Sequence, residues 1–156
     1  MKTFLYVLAV SVLVSVAEAE ETAKSPPVSK SELLERFTVA VKAKDEEAIR
    51  SLICWDGPVI KAKMDAKISD LLSRKVGTKV EMNPPSLAPG ASFTNVVNGV
   101  RFYPNIPVIG QIDVWFAKNE NILRFYYGQK DKAFYLSCTV REYLSVSKEP
   151  KISTPQ

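Results

Sequence analysis

Between Val100 and Tyr143 apolar and polar residues alternate with a period of two, and two short polar interruptions divide the run into three long strands. The interruptions are Lys118-Asn119-Glu120-Asn121 and Gln129-Lys130-Asp131-Lys132, and two-residue tips at Asn119-Glu120 and Lys130-Asp131 predict a meander. That register sets Phe116 opposite Leu123, Val114 opposite Phe125 and Ile112 opposite Tyr127. Across the second turn it sets Tyr127 opposite Phe134, Phe125 opposite Leu136 and Leu123 opposite Cys138. One face then collects Ile112, Val114, Phe116, Leu123, Phe125, Tyr127, Phe134, Leu136, Cys138 and Val140, and reads as core. Gln111, Asp113, Trp115, Arg124, Tyr126, Tyr135, Ser137 and Thr139 fall on the other. A one-residue slip would scramble this separation.

The second face is polar but aromatic, and Trp115 is predicted beside Arg124 as a cross-strand cation–π pair. Two readings of it stay open. It is either an exposed face whose aromatics serve β-propensity, or a partner surface of Asp113, Trp115, Arg124, Tyr126 and Tyr135, since Trp, Tyr and Arg are enriched at interface centres.

Upstream, the apolar period changes to that of helices. Ser29 and Glu32 form a capping box that opens a helix through about Lys44, with Leu33, Leu34, Phe37 and Val41 as its apolar stripe. Asp45 caps a shorter helix burying Ala48, Ile49, Leu52 and Ile53. Trp55-Asp56-Gly57-Pro58 breaks it, and Asp56 is placed to cap a third helix with Pro58 in its first turn. Ile60, Met64, Ile68, Leu71 and Leu72 form that helix's buried side, a core stripe and not a cofactor site. Val76–Met82 alternates as a strand. Residues 83–95, with three prolines, predict a long loop or flap, and the Asn98-Gly99 step predicts a hairpin. Pro104 and Pro107 confine the piece between them to an edge or bend.

The ends carry other signals. Lys2, the apolar run Phe4–Val16 and Ala17-Glu18-Ala19 have the parts of a secretory signal peptide over residues 1–19. The apolar run is too short for a transmembrane anchor, so no stable membrane anchor is expected after cleavage. Residues 20–28 read as a flexible leader, 29–144 as a single domain and 145–156 as a frayed tail. The chain is then exported, secreted or periplasmic.

Composition narrows the chemistry. The net charge of +4 comes from lysines interspersed with acids, which argues against nucleic-acid binding. There is no histidine, which removes the commonest general base, the commonest zinc ligand and every Ser-His or Cys-His nucleophile. No glycine-rich phosphate loop or calcium loop occurs, so neither a cofactor nor a metal is expected. In an exported chain Cys54 and Cys138 are candidates for a disulfide, and closing so long a loop is worth about 4–5 kcal/mol in the chain-entropy model. The alternative is two buried thiols acting as small hydrophobes.

A helix containing Phe37 and Ala40, the Lys44-Asp45-Glu46-Glu47-Ala48-Ile49 step into a second helix, Leu52, and the block from Gly110 to Tyr127 resemble the NTF2-like superfamily of cone-shaped α+β barrels. The resemblance implies an α+β fold with three N-terminal helices packed on one face of a curved antiparallel sheet. It implies an apolar pocket inside the cone and a homodimer through the outer sheet face. Such a pocket would be lined by Phe116, Phe125 and Tyr127, with Trp55 and Asp56 at its mouth, and would bind a small apolar ligand; ordinary core is the competing reading of each. Superfamily members include isomerases and dehydratases as well as non-catalytic domains, and fold alone does not choose.

The enzyme alternative makes Asp113 a base beside Tyr126. The register sets both on the polar face, where a carboxylate is solvated and ordinary, so no catalytic residue is assigned. A cystatin-like inhibitor is disfavoured because Gln111-Ile112-Asp113-Val114-Trp115 lacks the glycine expected in that family's inhibitory loop. The expectation is a non-catalytic domain that dimerises, or binds a partner or small apolar ligand. The alternative is an isomerase- or hydratase-type enzyme.

Overall fold

The computed structural model describes residues 25–74, 76–87, 92–116 and 122–144. The signal-peptide and tail assignments, at 1–19 and 145–156, lie outside the described residues. The chain is α+β, with helices against antiparallel strands that curl into a half-barrel.

Helix α1 (Lys30–Ala43) starts where Ser29 Oγ accepts the Glu32 N–H at 3.1 Å, while Glu32 Oε2 reaches back to the Val28 N–H at 2.9 Å. It ends on Lys44, which adopts a left-handed φ of 56°. Asp45 then caps α2 (Glu46–Ser51) through the Ala48 N–H at 2.9 Å. Helix α3 (Lys61–Ser73) has no side-chain cap. Asp56, expected to cap it, instead pairs with Lys130. Val59 bridges Val140 and the Ile60 N–H donates to the Thr139 carbonyl at 2.8 Å, which holds this stretch extended and delays the helix to Lys61. The leader is not wholly free: Pro27 is buried, and its carbonyl accepts the Phe134 N–H at 2.8 Å.

Seven strands follow among the described residues: β1 (Val76–Asn83), β2 (Asn95–Val97), β3 (Val100–Pro104), β4 (Val108–Phe116), β5 (Ile122–Lys130), β6 (Ala133–Leu136) and β7 (Thr139–Tyr143). They form a four-stranded sheet in the order β1-β4-β5-β6 and a three-stranded sheet in the order β2-β3-β7. The Asn98-Gly99 step does close the β2–β3 hairpin, with φ of 51° and 73° at the two residues.

The meander register differs from expectation by two residues in both hairpins. Ile112 faces Phe125, Val114 faces Leu123 and Tyr127 faces Leu136. The second tip is Asp131-Lys132, both with positive φ, as a type I′ turn requires. A two-residue shift preserves the side-chain alternation, so the face assignment survives. Ile112, Val114, Phe125, Tyr127, Phe134 and Leu136 are buried with Leu33, Phe37, Ile68 and Leu71 of the helices. The pairing changes nonetheless: Arg124 stands opposite Asp113, and Trp115 opposite Ile122.

The third long strand is a second correction. It breaks at Ser137-Cys138, with β6 staying in the first sheet and β7 joining β3 in the other. Asn105, between β3 and β4, holds the break open. Its Oδ1 accepts the Cys138 N–H at 2.8 Å, its own N–H donates to the Cys138 carbonyl at 3.0 Å, and its Nδ2 donates to the Cys54 carbonyl at 2.7 Å. Further curl comes from a bulge between Val108 and Gly110 opposite Gly128. A Cβ on Gly128 would lie 2.2 Å from the Pro107 carbonyl oxygen, so only glycine fits there.

Asn105→Ala strips partners from the Cys138 N–H and the Cys54 carbonyl at once. It should cost about 2–4 kcal/mol in urea unfolding, whereas Asn98→Ala, at an exposed turn with φ 51°, should cost about 1 kcal/mol.

Candidate functional site

The polar face of the four-stranded sheet is closed off from solvent at its centre. Asp113 is 4% exposed and Gln111 2% exposed. The expected flap lies over them: Asn83 Nδ2 donates to Asp113 Oδ2 at 3.0 Å, and the Ser86 N–H donates to Gln111 Oε1 at 2.8 Å. Gln111 Nε2 adds a bond to Asp113 Oδ2 at 2.8 Å, and Arg124 Nε pairs with Asp113 Oδ1 at 2.9 Å. Burial by itself pushes the Asp113 carboxyl up. The hydrogen bonds from Arg124, Gln111 and Asn83, with the Arg124 charge, outweigh it and hold the group below the usual carboxylate range. Asp113 is therefore an ionised anchor for the flap. A base poised near neutrality needs the opposite shift.

Of the five residues expected at a partner surface, Asp113 is thus buried. Tyr126 packs edge-on against Phe93 of the flap, with ring centroids 5.0 Å apart. Trp115, Arg124 and Tyr135 are half-buried. The Trp115 indole has Lys79 Nζ 5.3 Å from its ring centroid, and its Nε1–H finds no acceptor among the described residues.

The residues expected to line a pocket also sit elsewhere. Phe125 and Tyr127 are core, Phe125 meeting Phe37 edge-on at 5.2 Å. Phe116 is half-buried, with the Arg74 guanidinium 5.1 Å from its ring centroid. Trp55 packs on the core and donates its Nε1–H to the Arg50 carbonyl at 3.0 Å. Asp56 is exposed and paired with Lys130, whose hydrogen bond and charge draw its carboxyl downward.

A cavity of about 340 Å³ lies where α3 crosses the gap between the two sheets. Helix α3 contributes Lys63, Met64 and Lys67, and the flap Phe93 and Asn95. Strand β3 brings Phe102, Tyr103 and Pro104; Tyr126 and the Ser137-Cys138-Thr139 break complete the wall. The size suits a small ligand, and the lining is aromatic with scattered polar groups. Of the residues singled out from sequence, Tyr126 and Cys138 line it, whereas Trp55, Asp56, Phe116, Phe125 and Tyr127 do not. No local pattern marks Lys63, Phe93 and Phe102 as neighbours, because only the strand break and the folded flap bring them together.

Lys63 Nζ stands 4.9 Å from the Phe102 ring centroid and Lys67 Nζ 4.6 Å from that of Phe125. Burial, helped by the Arg124 charge, lowers Lys67 to about 8. The cysteines are not bonded to each other: both are free and buried. Burial pushes the Cys138 thiol up to about 12, and burial also raises Cys54. Among the described residues no group of three or more His, Cys, Asp or Glu side chains converges on a metal-sized site. No family model, curated protein or solved structure matches the chain.

Three measurements test this geometry. Because the folded Asp113 pKa lies below its unfolded value, its contribution is complete above about pH 4 and is lost as pH falls through the folded value. Asp113→Asn should flatten the acid limb of the stability–pH curve. Arg124→Met should cost about 2 kcal/mol at pH 7, discounted because the Arg124 side chain is 35% exposed. Maleimide labelling of the folded protein at pH 7.5 should be negligible and should reach both thiols only on unfolding.

Proposed function

We propose that this chain is an exported, non-catalytic binding domain of NTF2-like cone architecture, holding a small, largely apolar ligand in the cavity beneath α3. The observation that carries the reading is the cavity wall: Phe93, Phe102, Tyr103 and Tyr126 surround a volume of about 340 Å³. The half-barrel with helices on its apolar face accords with the cone. The signal-peptide pattern of residues 1–19 motivates export. The non-catalytic element is supported by Asp113, whose carboxylate is occupied by three side-chain donors, and by a chain without histidine.

Titration with the neutral fluorophore N-phenyl-1-naphthylamine should give a single saturable site of about 10–100 μM, the range expected for so few ligand atoms. Thr139→Trp, which fills the cavity from the β7 side, should abolish the signal while leaving the unfolding midpoint within a few degrees. Undiminished binding to the filled variant would count against the cavity.

A further inference from the structure

The cavity wall carries positive charge and no negative charge. Lys63 and Lys67, one turn apart on α3, face it, and no carboxylate contributes to its lining. Arg124, which acts on Lys67 from β5, has its own charge answered by Asp113. Lys67 has no such answer among the described residues, although a desolvated cation is ordinarily paired.

We propose that the cavity takes a small aromatic or alicyclic monocarboxylate, its carboxylate on the Lys67 ammonium and its ring against Phe93, Phe102 and Tyr126. This rests on the cavity-binding reading above and narrows it to an anion. A lysine supplies a compact point charge suited to one carboxylate. The wall offers no arginine and no glycine-rich run of backbone N–H groups, the usual equipment for phosphate.

Binding should take up protons. Arg124 from β5 and Cys138 at the strand break act on Lys67, and Lys63, Tyr103 and Tyr126 share the cavity wall with it; Asp113 is engaged by Arg124, and Asp65, which acts on Cys138, is paired with Arg50 at 2.8 Å. The Cys138 thiol, pushed up to about 12 by burial, stays protonated near neutrality. Lys67 itself is half-charged near pH 8 in the free protein. A bound carboxylate raises that value, so affinity for the anion is full below pH 8 and falls as pH rises above it.

The test compares 2-naphthoate with its neutral isostere 2-naphthamide by calorimetry on the purified protein at pH 7 and low salt. Naphthoate should bind about tenfold tighter, the scale of one charge-assisted contact, and should lose that advantage between pH 8 and pH 10 while the amide is unaffected. Lys67→Met should bring the two ligands to equal affinity, whereas Lys63→Met should leave most of the preference. Equal affinity in the unsubstituted protein overturns the anion proposal while leaving cavity binding intact. So does binding of the neutral fluorophore without either naphthalene. A preference surviving Lys67→Met removes Lys67 from the role, and absence of binding by all three ligands overturns the cavity reading as well. If Lys67→Met fails to fold, Lys67→Gln replaces it, and the acid-to-amide ratio and its pH dependence need no variant.

Discussion

The Asn105 carboxamide is the joint on which the architecture turns. A long strand that begins in one sheet must leave it at Ser137-Cys138, and leaving a sheet strands backbone donors and acceptors. Asn105 takes the Cys138 N–H with its side-chain oxygen and gives its own N–H to the Cys138 carbonyl. With its side-chain nitrogen it also reaches the Cys54 and Asp56 carbonyls, at 2.7 and 3.2 Å. The strand break, the β3–β4 connection and the α2–α3 connection are therefore fixed by one side chain. Pro104 and Pro107 on either side supply no competing N–H, which leaves the intervening segment free to serve the joint.

Opening the strand has a consequence for the space around it. Had the run from Ala133 to Tyr143 continued in one sheet, β3 would keep β2 as its single partner and α3 would have no gap to cross. Because β7 turns away to pair with β3, the two sheets diverge, and Met64, Phe102 and Tyr126 border a hollow in place of close contact. The hollow is a product of topology more than of any local motif.

On the other side of the four-stranded sheet a polar layer fulfils a comparable role. Burying the Asp113 carboxylate is expensive unless its oxygens are fully engaged. Arg124 from the neighbouring strand, Gln111 two residues away and Asn83 from the end of β1 engage both oxygens. That cluster draws the flap down, and Phe93 then reaches Tyr126. The centre of this face is thus covered by the protein's own chain, so Gln111 and Asp113 act as internal fasteners. The same flap carries Phe93 into the cavity wall, coupling the fastening of the sheet to the shape of the proposed site.

Local patterning was enough to specify the helices through their caps at Ser29 and Asp45, the Asn98-Gly99 hairpin, and the sheet face that meets the helices. Each depends on residues a few positions apart, or on an alternation that survives a two-residue shift. What needed the tertiary structure was the register itself, the strand break at Ser137-Cys138, the burial of Asp113 and the whereabouts of the cavity. Register parity is written in the alternation, but its absolute value is set by the Asp113–Arg124 pair and the turn conformation at Asp131-Lys132. The cavity wall unites α3, the flap, β3 and β5, segments distant along the chain. Their proximity arises from one carboxamide and one part-buried ion pair, neither of which leaves a periodic trace in the sequence.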